Sequence, residues 1–361
     1  MNENEQIKIE EPAETETATS PVRPKQVVAF VTYAYFAVMT VWLALFVAWR
    51  DGTWWLFLAN SFSVYLFVPL PVAAAVAVWT RRRTLYACVI VWTVAWLVLF
   101  GRAYLRPIHR PDFDPDDPNI LSVMTFNVRA DNKKVGELVD LIRDSDADLV
   151  AIQELTPVTA AAIENGLADE YPYRLLEPWP HGNSSGTISR YPLRRSKLKA
   201  GGRWVTNPAV SVMDFNGHDV TVINVHFWSN AVGSWHNIMR MSRSVKQREL
   251  QTWTIREVAA NHDQPLLVLG DLNATPMSRA YELLTGSLTD TWAEVGRGLG
   301  HTFPGDPRPM VMGIPVPRWL IRIDYVFHTA HWQAISARVL PYAEGSDHRP
   351  VTAILRLVND S

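Results

Sequence analysis

Three long apolar segments in the N-terminal third are the feature that most constrains the fold of this chain. They run from about residue 26 to 49, from 54 to 79 and from 85 to 101. A helix that crosses a bilayer needs about 20 apolar residues. Trp and Tyr also crowd the ends of the segments, as they do at membrane interfaces. The sequence therefore predicts a three-helix transmembrane region over residues 26–105.

A cleaved signal peptide and a buried helical domain both agree less well with these apolar segments. A signal peptide is shorter than the first segment, and it is not normally preceded by an acidic tail or followed by two more apolar segments. A buried helical domain of a soluble protein would have to cover three nearly uncharged stretches. Residues 1–25 are rich in Glu, Thr, Ala and Pro and predict a disordered acidic tail. Residues 106–118 are rich in Pro and Asp and predict a stiff linker.

Basic residues beside the apolar segments predict the orientation in the membrane. With three spans, the N-terminal tail and the loop at 81–83 share one side, and the C-terminal part lies on the other. The first side carries five flanking basic residues and the second carries four, namely Arg23, Lys25 and Arg81–Arg83 against Arg50, Arg102, Arg106 and Arg110. Because the Arg triplet lies in a very short loop, the positive-inside rule favours a cytoplasmic tail. We therefore expect a multi-pass protein of the cell (plasma) membrane with an extracytoplasmic C-terminal domain.

Residues 119–361 predict a separate domain in which strands and helices alternate. Predicted strands are 120–126, 148–152, 186–189, 210–215, 220–226, 266–269, 323–327 and 352–357, and predicted helices are 134–143, 157–168 and 243–260. The dipeptide Asn216-Gly217 is a strong signal for a β-hairpin between two of these strands. Such a pattern favours a mixed α/β protein with polar groups gathered at strand ends.

Composition excludes some classes of function for this domain. The chain has one cysteine, Cys88, so it forms no intrachain disulfide and no cysteine-based zinc site. From residue 119 onward there are 24 Lys/Arg and 25 Asp/Glu. A domain so close to neutrality lacks the broad basic face that a protein gripping many phosphates of nucleic acid needs. A general nuclease is therefore disfavoured, although a local basic groove is compatible with the counts.

Six short polar motifs each follow an apolar run in the C-terminal domain. They are Thr125-Phe126-Asn127, Ile152-Gln153-Glu154, Asn224-Val225-His226, Gly270-Asp271-Leu272-Asn273, Ile323-Asp324-Tyr325 and Ser346-Asp347-His348-Arg349-Pro350. Hydrolysis of a phosphate ester requires a divalent cation, a base that orients water, and donors that stabilise the developing charge. Magnesium prefers oxygen ligands, and Glu154 and Asp347 are the carboxylates best placed to bind it. The motifs together predict a metal-assisted phosphoesterase.

This set of motifs resembles that of the endonuclease/exonuclease/phosphatase superfamily, which includes deoxyribonuclease I, apurinic endonucleases, inositol-polyphosphate 5-phosphatases and neutral sphingomyelinases. The resemblance extends over about residues 119–357. It includes the segment 186–192, which is similar to the Ser-Arg-x-Pro strand of the family. It implies an α/β fold of the deoxyribonuclease I type, a four-layer α/β/β/α sandwich, preceded here by three transmembrane α-helices.

The resemblance also implies roles for the carboxylates and for one histidine. Glu154 would be the principal metal ligand, and Asp347 would complete a site for Mg²⁺, with Mn²⁺ as the alternative ion. Asp271 would be the base that orients the attacking water. His348 would stabilise the pentacoordinate phosphorus, and Asp324 would hold its ring and fix its tautomer.

Four further residues are predicted to contact the phosphate of the substrate. By the same resemblance, Asn127 would be an amide of the metal-ligand sphere on the phosphate side, Asn273 would contact the phosphate, and His226 would donate a hydrogen bond to it. Arg129 departs from the pattern of some nuclease members, which carry Asp at that position. A cation there cannot bind a metal, but it could hold an anionic phosphate; the alternative is a salt bridge to a nearby carboxylate.

The substrate is predicted from two inserts and from the membrane segments. The inserts at 228–241 and 309–320 are rich in Trp, Met and other apolar residues, and they adjoin strands that carry predicted site residues. Either they pack in the ordinary way, or they enter the membrane interface and admit a lipid head group. The leading hypothesis is a membrane-anchored phosphohydrolase whose partners are the bilayer and a lipid-linked phosphate or pyrophosphate, such as a polyprenyl pyrophosphate. The alternatives are a membrane-tethered nuclease and a non-catalytic membrane scaffold or receptor.

Overall fold

The computed structural model describes residues 24–105, 114, 117–182, 184–198, 201, 204, 206–229, 235–308, 310–311 and 313–358. Most of the predicted acidic tail (residues 1–25) and of the predicted linker (residues 106–118) lies outside these ranges. The helices are α1 (Pro24–Trp49), α2 (Trp54–Ser61), α3 (Leu70–Thr80), α4 (Arg83–Trp96), α5 (Arg102–Leu105), α6 (Val135–Asp144), α7 (Pro157–Gly166), α8 (Trp235–Ala260), α9 (Arg279–Thr285) and α10 (Thr291–Val295).

The strands belong to the C-terminal domain, residues 117–358 of the described chain. They are β1 (Ile120–Asn127), β2 (Leu149–Gln153), β3 (Tyr173–Glu177), β4 (Ser185–Ser189), β5 (Leu193–Arg195), β6 (Ala209–Phe215), β7 (His218–His226), β8 (Leu266–Asp271), β9 (Thr289–Asp290), β10 (Met310–Val311), β11 (Ile314–Pro315), β12 (Asp324–His328), β13 (Trp332–Val339) and β14 (Val351–Leu357).

The three predicted apolar segments form long helices, which together make the apolar helical region, residues 24–105. Helices long and apolar enough to cross a bilayer run over Pro24–Trp49, Ser63–Thr80 and Arg83–Leu105. The second begins later than predicted, because α2 ends at Ser61 and a short 3-10 helix precedes α3. The third is longer than predicted, since a π-helical turn joins α4 to α5. Only 22–28% of the most apolar window of each helix is buried, so most of this apolar surface has no partner among the described residues.

Two six-stranded mixed sheets pack face to face in the C-terminal domain. Their strand orders are β13-β14-β1-β2-β4-β3 and β5-β6-β7-β8-β12-β9. Side chains of both sheets fill the space between them, among them Val123, Leu149, Val222 and Leu267. Helices α6 and α7 cover the outer face of the first sheet, and α8 and α9 cover that of the second. This arrangement is the predicted four-layer α/β/β/α sandwich.

The central strands are buried on both faces, and this explains their sequences. Every residue of β2 and β8 is buried. A strand covered on both sides reads as a continuous apolar run, as the run over 266–269 does, rather than as an alternating pattern. The helices that flank the sheets begin at typical caps: the side chains of Thr156 and Ser278 accept hydrogen bonds from backbone N–H groups in the first turns of α7 and α9.

The elements that the sequence did not predict lack a clear local pattern. Strand β3 lies at a sheet edge with no buried residue, so burial imposes no apolar pattern on it. In β13 a register shift between Ala334 and Ser336 interrupts the alternation that would mark a strand. Helix α8 begins at Trp235, eight residues before its predicted start at 243, and so includes the end of the first insert. Residues 230–234 of that insert lie outside the described residues.

The apolar helical region packs directly against the C-terminal domain. In the loop between α1 and α2, Asp51 accepts a 3.0 Å hydrogen bond from the backbone N–H of Arg279, which begins α9. Beside it, Arg50 forms a 3.2 Å ion pair with Glu282. Phe57 of α2 packs in one cluster with Met241 and Val245 of α8.

A second group of contacts joins the other two apolar helices to the domain. The hydroxyl of Tyr65 donates a 2.9 Å hydrogen bond to the carbonyl of Leu320. The backbone N–H of Gly298 donates one of 2.8 Å to the carbonyl of Ala103, near the end of the third apolar helix. The apolar helical region therefore lies on the part of the domain that carries α8, α9 and the segment before β12.

Candidate active site

The predicted site residues meet at one end of the sandwich. Strands β1 and β2 are parallel with Asn127 opposite Gln153, and β7 and β8 are parallel with His226 opposite Asp271. Strand β12 is antiparallel to β8 and begins there, with Asp324 opposite Asp271. Because the carboxyl ends of four central strands and the amino end of a fifth share this edge, the polar residues that follow the apolar runs converge.

The Asn127 side chain bridges the two sheets. Its Nδ2 donates 3.0 Å to Glu154 Oε1 and 3.1 Å to Asp271 Oδ2. The second oxygen of Glu154 accepts a 3.0 Å hydrogen bond from the backbone N–H of Ala130. The amide thus holds one carboxylate from each sheet in a fixed relation. The family resemblance implied a role of Asn127 toward the phosphate, and the structure adds this positioning contact.

Asp271 is 1% exposed, and hydrogen bonds fix both of its carboxylate oxygens. Oδ1 accepts 2.7 Å from the backbone N–H of Asn273, and Oδ2 accepts 3.1 Å from the Asn273 amide. The same amide nitrogen also donates 3.2 Å to the carbonyl of Phe227. Asn273 therefore links the ends of β7 and β8 and orients the predicted base.

His348 is held by a carboxylate on one ring nitrogen and faces another carboxylate with the second. Its Nδ1 lies 3.1 and 3.0 Å from the two oxygens of Asp324. Its Nε2 lies 3.8 Å from Asp271 Oδ2. Its backbone N–H donates to the hydroxyl of Ser346, which in turn donates 2.6 Å to the carbonyl of Asn127. The pairing of Asp324 with His348 that the resemblance implied is thus present in the geometry.

His226 faces the same space with a ring that has no partner. Nε2 lies 3.8 Å from Glu154 Oε1 and 3.7 Å from Asp271 Oδ2, which is too far for a hydrogen bond. Both ring nitrogens are buried, and among the described residues neither has a hydrogen-bond partner. A buried polar group normally finds a partner. The ring is therefore available to a ligand that enters between the carboxylates.

Backbone conformations at the site are unusual for residues with side chains. Glu154, Asn273 and Arg129 have φ of 58°, 49° and 60°, in the left-handed region. Such conformations cost energy and persist where the surrounding structure imposes them, often at functional sites. Gly270 has φ 145°, and a Cβ there would lie 1.9 Å from the carbonyl oxygen of Val225. Only glycine therefore lets β8 approach β7 closely at the point where Asp271 leaves the strand.

A buried network of amides supports the site from below. Gln153 Nε2 donates 2.7 Å to Asn224 Oδ1. Asn224 Nδ2 then donates to the carbonyls of Ile152 (3.0 Å) and Gly186 (2.8 Å). The motifs in the sequence include Gln153 and Asn224, but sequence reasoning assigned neither of them a role. Each is a polar residue in an otherwise apolar strand, and such a residue needs a hydrogen-bond partner when it is buried. This pattern was the signal in the sequence that could have identified them.

Burial and charge shift the pKa values of the catalytic candidates. Burial raises the pKa of Asp271 to about 6, although His348 opposes this effect. Burial alone would lower the pKa of His348, but Asp324 and Asp271 raise it well above its usual value. The pair thus consists of a carboxylate that ionises near neutrality and an imidazole that stays protonated beyond its ordinary range. Such perturbed groups are typical of catalytic sites.

The carboxylates predicted to hold a metal, Glu154 and Asp347, are close enough to affect each other. Burial and the charge of Glu154 raise the pKa of Asp347. For Glu154, burial raises the pKa, but His226 and the Asn127 amide outweigh it and the net pKa is lowered. Two carboxylates form an all-oxygen donor set, which suits a divalent cation such as Mg²⁺ or Mn²⁺. The residues present therefore fit a divalent cation.

Another group of side chains in the site also has the geometry to bind a metal ion, and it contains neither Glu154 nor Asp347. Within the described part of the chain, ligand atoms of Asp271, Asp324 and His348 lie within 4.8 Å of one another. His348 Nδ1 already pairs with Asp324, so this cluster is better described as a hydrogen-bonded Asp–His pair beside Asp271. We therefore keep Glu154 and Asp347 as the predicted ligands.

Arg129 forms the salt bridge that was the alternative to a phosphate contact. Its Nε lies 2.6 Å from Asp131 Oδ1. Its charge also opposes the rise in the pKa of Asp347 that burial causes. The role of Arg129 in holding a substrate phosphate stays a prediction.

The two packed sheets with a carboxylate and histidine centre at their strand ends define a phosphoesterase-type α/β/β/α sandwich. A sequence profile of the Endonuclease/Exonuclease/phosphatase family matches residues 124–348, which contain every predicted site residue. The chain belongs to this family. No curated protein gives a significant sequence match to the chain.

Solved structures show the same fold at low sequence identity. An endonuclease/exonuclease/phosphatase from Beutenbergia cavernae is 22% identical, covers 67% of this chain and 72% of its own, and has a TM-score of 0.46. A humanized D. rerio TDP2 is 14% identical, covers 66% and 99%, and has a TM-score of 0.52. D. rerio TDP2 complexed with single strand DNA product is 13% identical, covers 66% and 99%, and has a TM-score of 0.50. At these identities the likeness shows the fold alone.

Proposed function

We propose that the protein is a membrane-anchored, metal-dependent phosphohydrolase that acts on a lipid-linked phosphate or pyrophosphate. The observation that carries the proposal is the direct packing of long apolar helices against the domain that contains the family-type hydrolytic site. Asp51 and Arg50, in the loop that connects two of these helices, contact the helix that follows the Asp271 strand. A domain held this close to a bilayer meets membrane-resident substrates first.

The residues of the site divide the chemistry among them. Asp271, as the carboxylate, would take a proton from water and aim its oxygen at phosphorus. His348, kept protonated by Asp324, would donate to the phosphoryl oxygens as negative charge develops. His226, whose ring nitrogens have no partner among the described residues, would donate to the phosphate, and Asn273 would contact it beside Asp271.

A divalent cation fits between the carboxylates of Glu154 and Asp347. Bound there, it would neutralise phosphate oxygens and so lower the electrostatic barrier to attack. The all-oxygen donor set favours Mg²⁺, and Mn²⁺ is the alternative ion.

A substrate panel tests the proposal. The full chain in detergent with Mg²⁺ is given a polyprenyl pyrophosphate, a long-chain alkyl monophosphate, a phospholipid and single-stranded DNA. We expect release of phosphate or of a head group from at least one lipid, and loss of that activity in Asp271→Ala and His348→Ala. Asp219→Ala is a matched control, because Asp219 lies on β7 with its side chain 56% exposed, paired with Arg194.

The panel also separates the alternatives. Cleavage of DNA with no lipid hydrolysis would make the protein a tethered nuclease; DNA is included because one solved relative holds a single strand DNA product. No hydrolysis of any substrate, together with unchanged cell phenotypes in both alanine variants, would favour a scaffold or receptor.

The side of the membrane is a separate part of the proposal. The balance of basic residues favours an extracytoplasmic domain in the plasma membrane. Protease added to intact cells should then cleave the C-terminal domain. Protection of the domain until the membrane is permeabilised would place it in the cytoplasm.

A further inference from the structure

A cavity lies where the apolar helical region meets the C-terminal domain. Its volume is about 320 Å³. One wall comes from the second and third apolar helices, with Val64, Leu99 and Phe100, and the opposite wall comes from the domain, with Met277, Leu299 and Leu320. Met277 and Leu299 also pack against the hydrophobic cluster of the apolar helices. The cavity is therefore an apolar space built jointly by both parts of the chain.

The cavity adjoins the segments that carry the active site. Thr275 lines it two residues after Asn273, and Arg322 lines it two residues before Asp324. Tyr325 connects the two segments, since its hydroxyl donates 2.8 Å to the carbonyl of Ala274 and lies 3.0 Å from that of Arg322. One end of the cavity thus consists of the loops that leave and enter the hydrolytic site.

The two residues at this end, Thr275 and Arg322, each have a buried polar atom without a described partner. The hydroxyl of Thr275 and the Nε of Arg322 are buried, and neither has a hydrogen-bond partner among the described residues. The other nitrogens of Arg322 pair with Asp290 at 3.0 and 2.7 Å. Buried polar groups without partners are rare in a finished protein core. The lining of the cavity is therefore apolar along the helices and includes the polar residues Thr275 and Arg322 near the loops.

We propose that this cavity binds the first part of the hydrocarbon chain of the lipid phosphate whose head group is hydrolysed at Asp271. This inference rests on the proposed function and specifies its substrate as an amphiphile with one chain at the junction. The volume is at the lower end of the range of about 300–1,000 Å³ found for small-molecule pockets. It therefore takes one segment of chain beside the polar head, and the rest of the lipid stays in the bilayer.

The position of the cavity suits a ligand that comes from the membrane. Its helical wall lies at the beginning of the Ser63–Thr80 helix and at the end of the Arg83–Leu105 helix. Both helix ends lie on the side of the apolar helices that faces the C-terminal domain, where a bilayer would have the head groups of one leaflet. A lipid can therefore place its head at the domain while its tail remains between apolar surfaces.

Photolabelling of the full chain in lipid nanodiscs tests the inference. The probe is a long-chain alkyl phosphonate that carries a diazirine near the head group, and its carbon–phosphorus bond keeps it from being hydrolysed. We expect labelled peptides from residues 97–103 and 275–277. Leu99→Trp and Met277→Trp fill the cavity from opposite walls, and each should lower this labelling by about tenfold.

Val98→Trp is the matched control, because Val98 is 76% exposed on the same turn of helix as Leu99. It should leave the labelling unchanged. Labels spread over the outer faces of the helices, or equal labelling in wild type and both filled variants, would overturn the inference. Because two variants are compared, a folding defect in one of them cannot by itself produce the expected result. The size-exclusion profile of each variant shows whether it is folded.

Parallel hydrolysis assays keep the two proposals apart. Hydrolysis of lipid phosphates by the wild type without cavity labelling would refute the chain-binding site and leave the proposed function standing. Cavity labelling that Leu99→Trp abolishes, with no hydrolysis of any lipid phosphate, would refute the function and leave a lipid-phosphate site. Both proposals are supported if Leu99→Trp slows hydrolysis of a long-chain substrate and leaves unchanged the rate on a short water-soluble ester with the same head group.

Discussion

The Nδ1 atom of His348 lies 3.1 and 3.0 Å from the two oxygens of Asp324, a residue buried at the start of a strand in the other sheet. This contact joins the two halves of the sandwich at the point where the chemistry is proposed. It fixes the tautomer of the ring and holds a positive charge on it.

Asp324→Asn should reduce kcat on the order of 100-fold while KM changes little. The amide would keep the ring in place but would no longer stabilise the protonated imidazole. The measurement is steady-state kinetics of the full chain on the active lipid phosphate. Asp148→Asn is the control, because Asp148 is a half-buried, hydrogen-bonded carboxylate at the opposite end of β2. Equal losses in the two variants would mean that the Asp324 contact is only structural.

The acid limb of the pH profile should report Asp271. Burial raises the pKa of this carboxyl to about 6, so it is protonated below that pH and cannot take a proton from water. We expect kcat/KM to fall about tenfold per pH unit below this point. The charged form of His348 should persist well above its ordinary range, because Asp324 and Asp271 raise its pKa against the effect of burial. An acid limb at the ordinary Asp value, near 3.8, would argue against Asp271 as the base.

Gly270→Ala should destabilise the fold by about 3 kcal/mol or more, because its Cβ would lie 1.9 Å from a backbone oxygen of β7. Thermal unfolding of the full chain in detergent measures the effect. Gly217→Ala is the matched control: this glycine also has positive φ, 87°, but nothing lies within 4 Å of its Cβ. Gly217→Ala should then reduce the free energy of unfolding by only about 1 kcal/mol, from backbone strain alone. Similar losses in both variants would remove the steric argument for Gly270.

Glu154→Gln should weaken activation by Mg²⁺ about 100-fold or more, since it removes a charged ligand. Titration of activity with Mg²⁺ and Mn²⁺, after removal of metal with a chelator, gives the apparent affinity. Glu164→Gln, at an exposed position of α7, should leave both titrations unchanged. Full activity of the wild type in excess chelator would exclude the metal site.

Arg248 should couple the apolar helical region to the His226 strand. Its guanidinium lies 4.6 Å from the centre of the Phe57 ring and donates 2.9 Å to the carbonyl of Trp228, two residues after His226. Because burial lowers the pKa of this cation only to about 10, it stays charged at neutral pH. Arg248→Met should destabilise the full chain by about 2 kcal/mol and lower kcat.

Arg256→Met provides the control for that prediction. Arg256 lies on the same helix, and its guanidinium stacks 5.0 Å from the ring centre of the exposed Trp253. The substitution should reduce the free energy of unfolding by less than about 1 kcal/mol. Hydrogen exchange at residues 226–229 distinguishes coupling from a general loss of stability. Faster exchange there in Arg248→Met, with unchanged exchange in the core strand β2, is the expected result; uniform acceleration would contradict it.

Local patterns in the sequence were sufficient for much of this protein. The apolar run over 266–269 and the polar residues after it identified β8 and Asp271, because a strand buried on both faces must be apolar throughout and can turn polar only where it ends. The lengths of the apolar segments likewise identified the three long helices. The family motifs between residues 124 and 348 carried the fold class. The end of α8 at Ala260 was predicted, but its start at Trp235 and the presence of β3 were not. The first turns of a long helix and an exposed edge strand both leave only weak local patterns.

Only the tertiary structure decided how distant residues pair. The bond from Asn127 to Asp271 spans 144 positions in the chain, and that from Asn224 to Gly186 spans 38. The left-handed backbone of Glu154 and the cavity at the junction of helices and domain have no sequence signature of their own. The sequence sets which residues are apolar, which are polar and where each strand ends, because burial and backbone periodicity act locally. Which carboxylate faces which histidine depends on how two sheets and a set of helices pack, and that is decided by the whole chain at once.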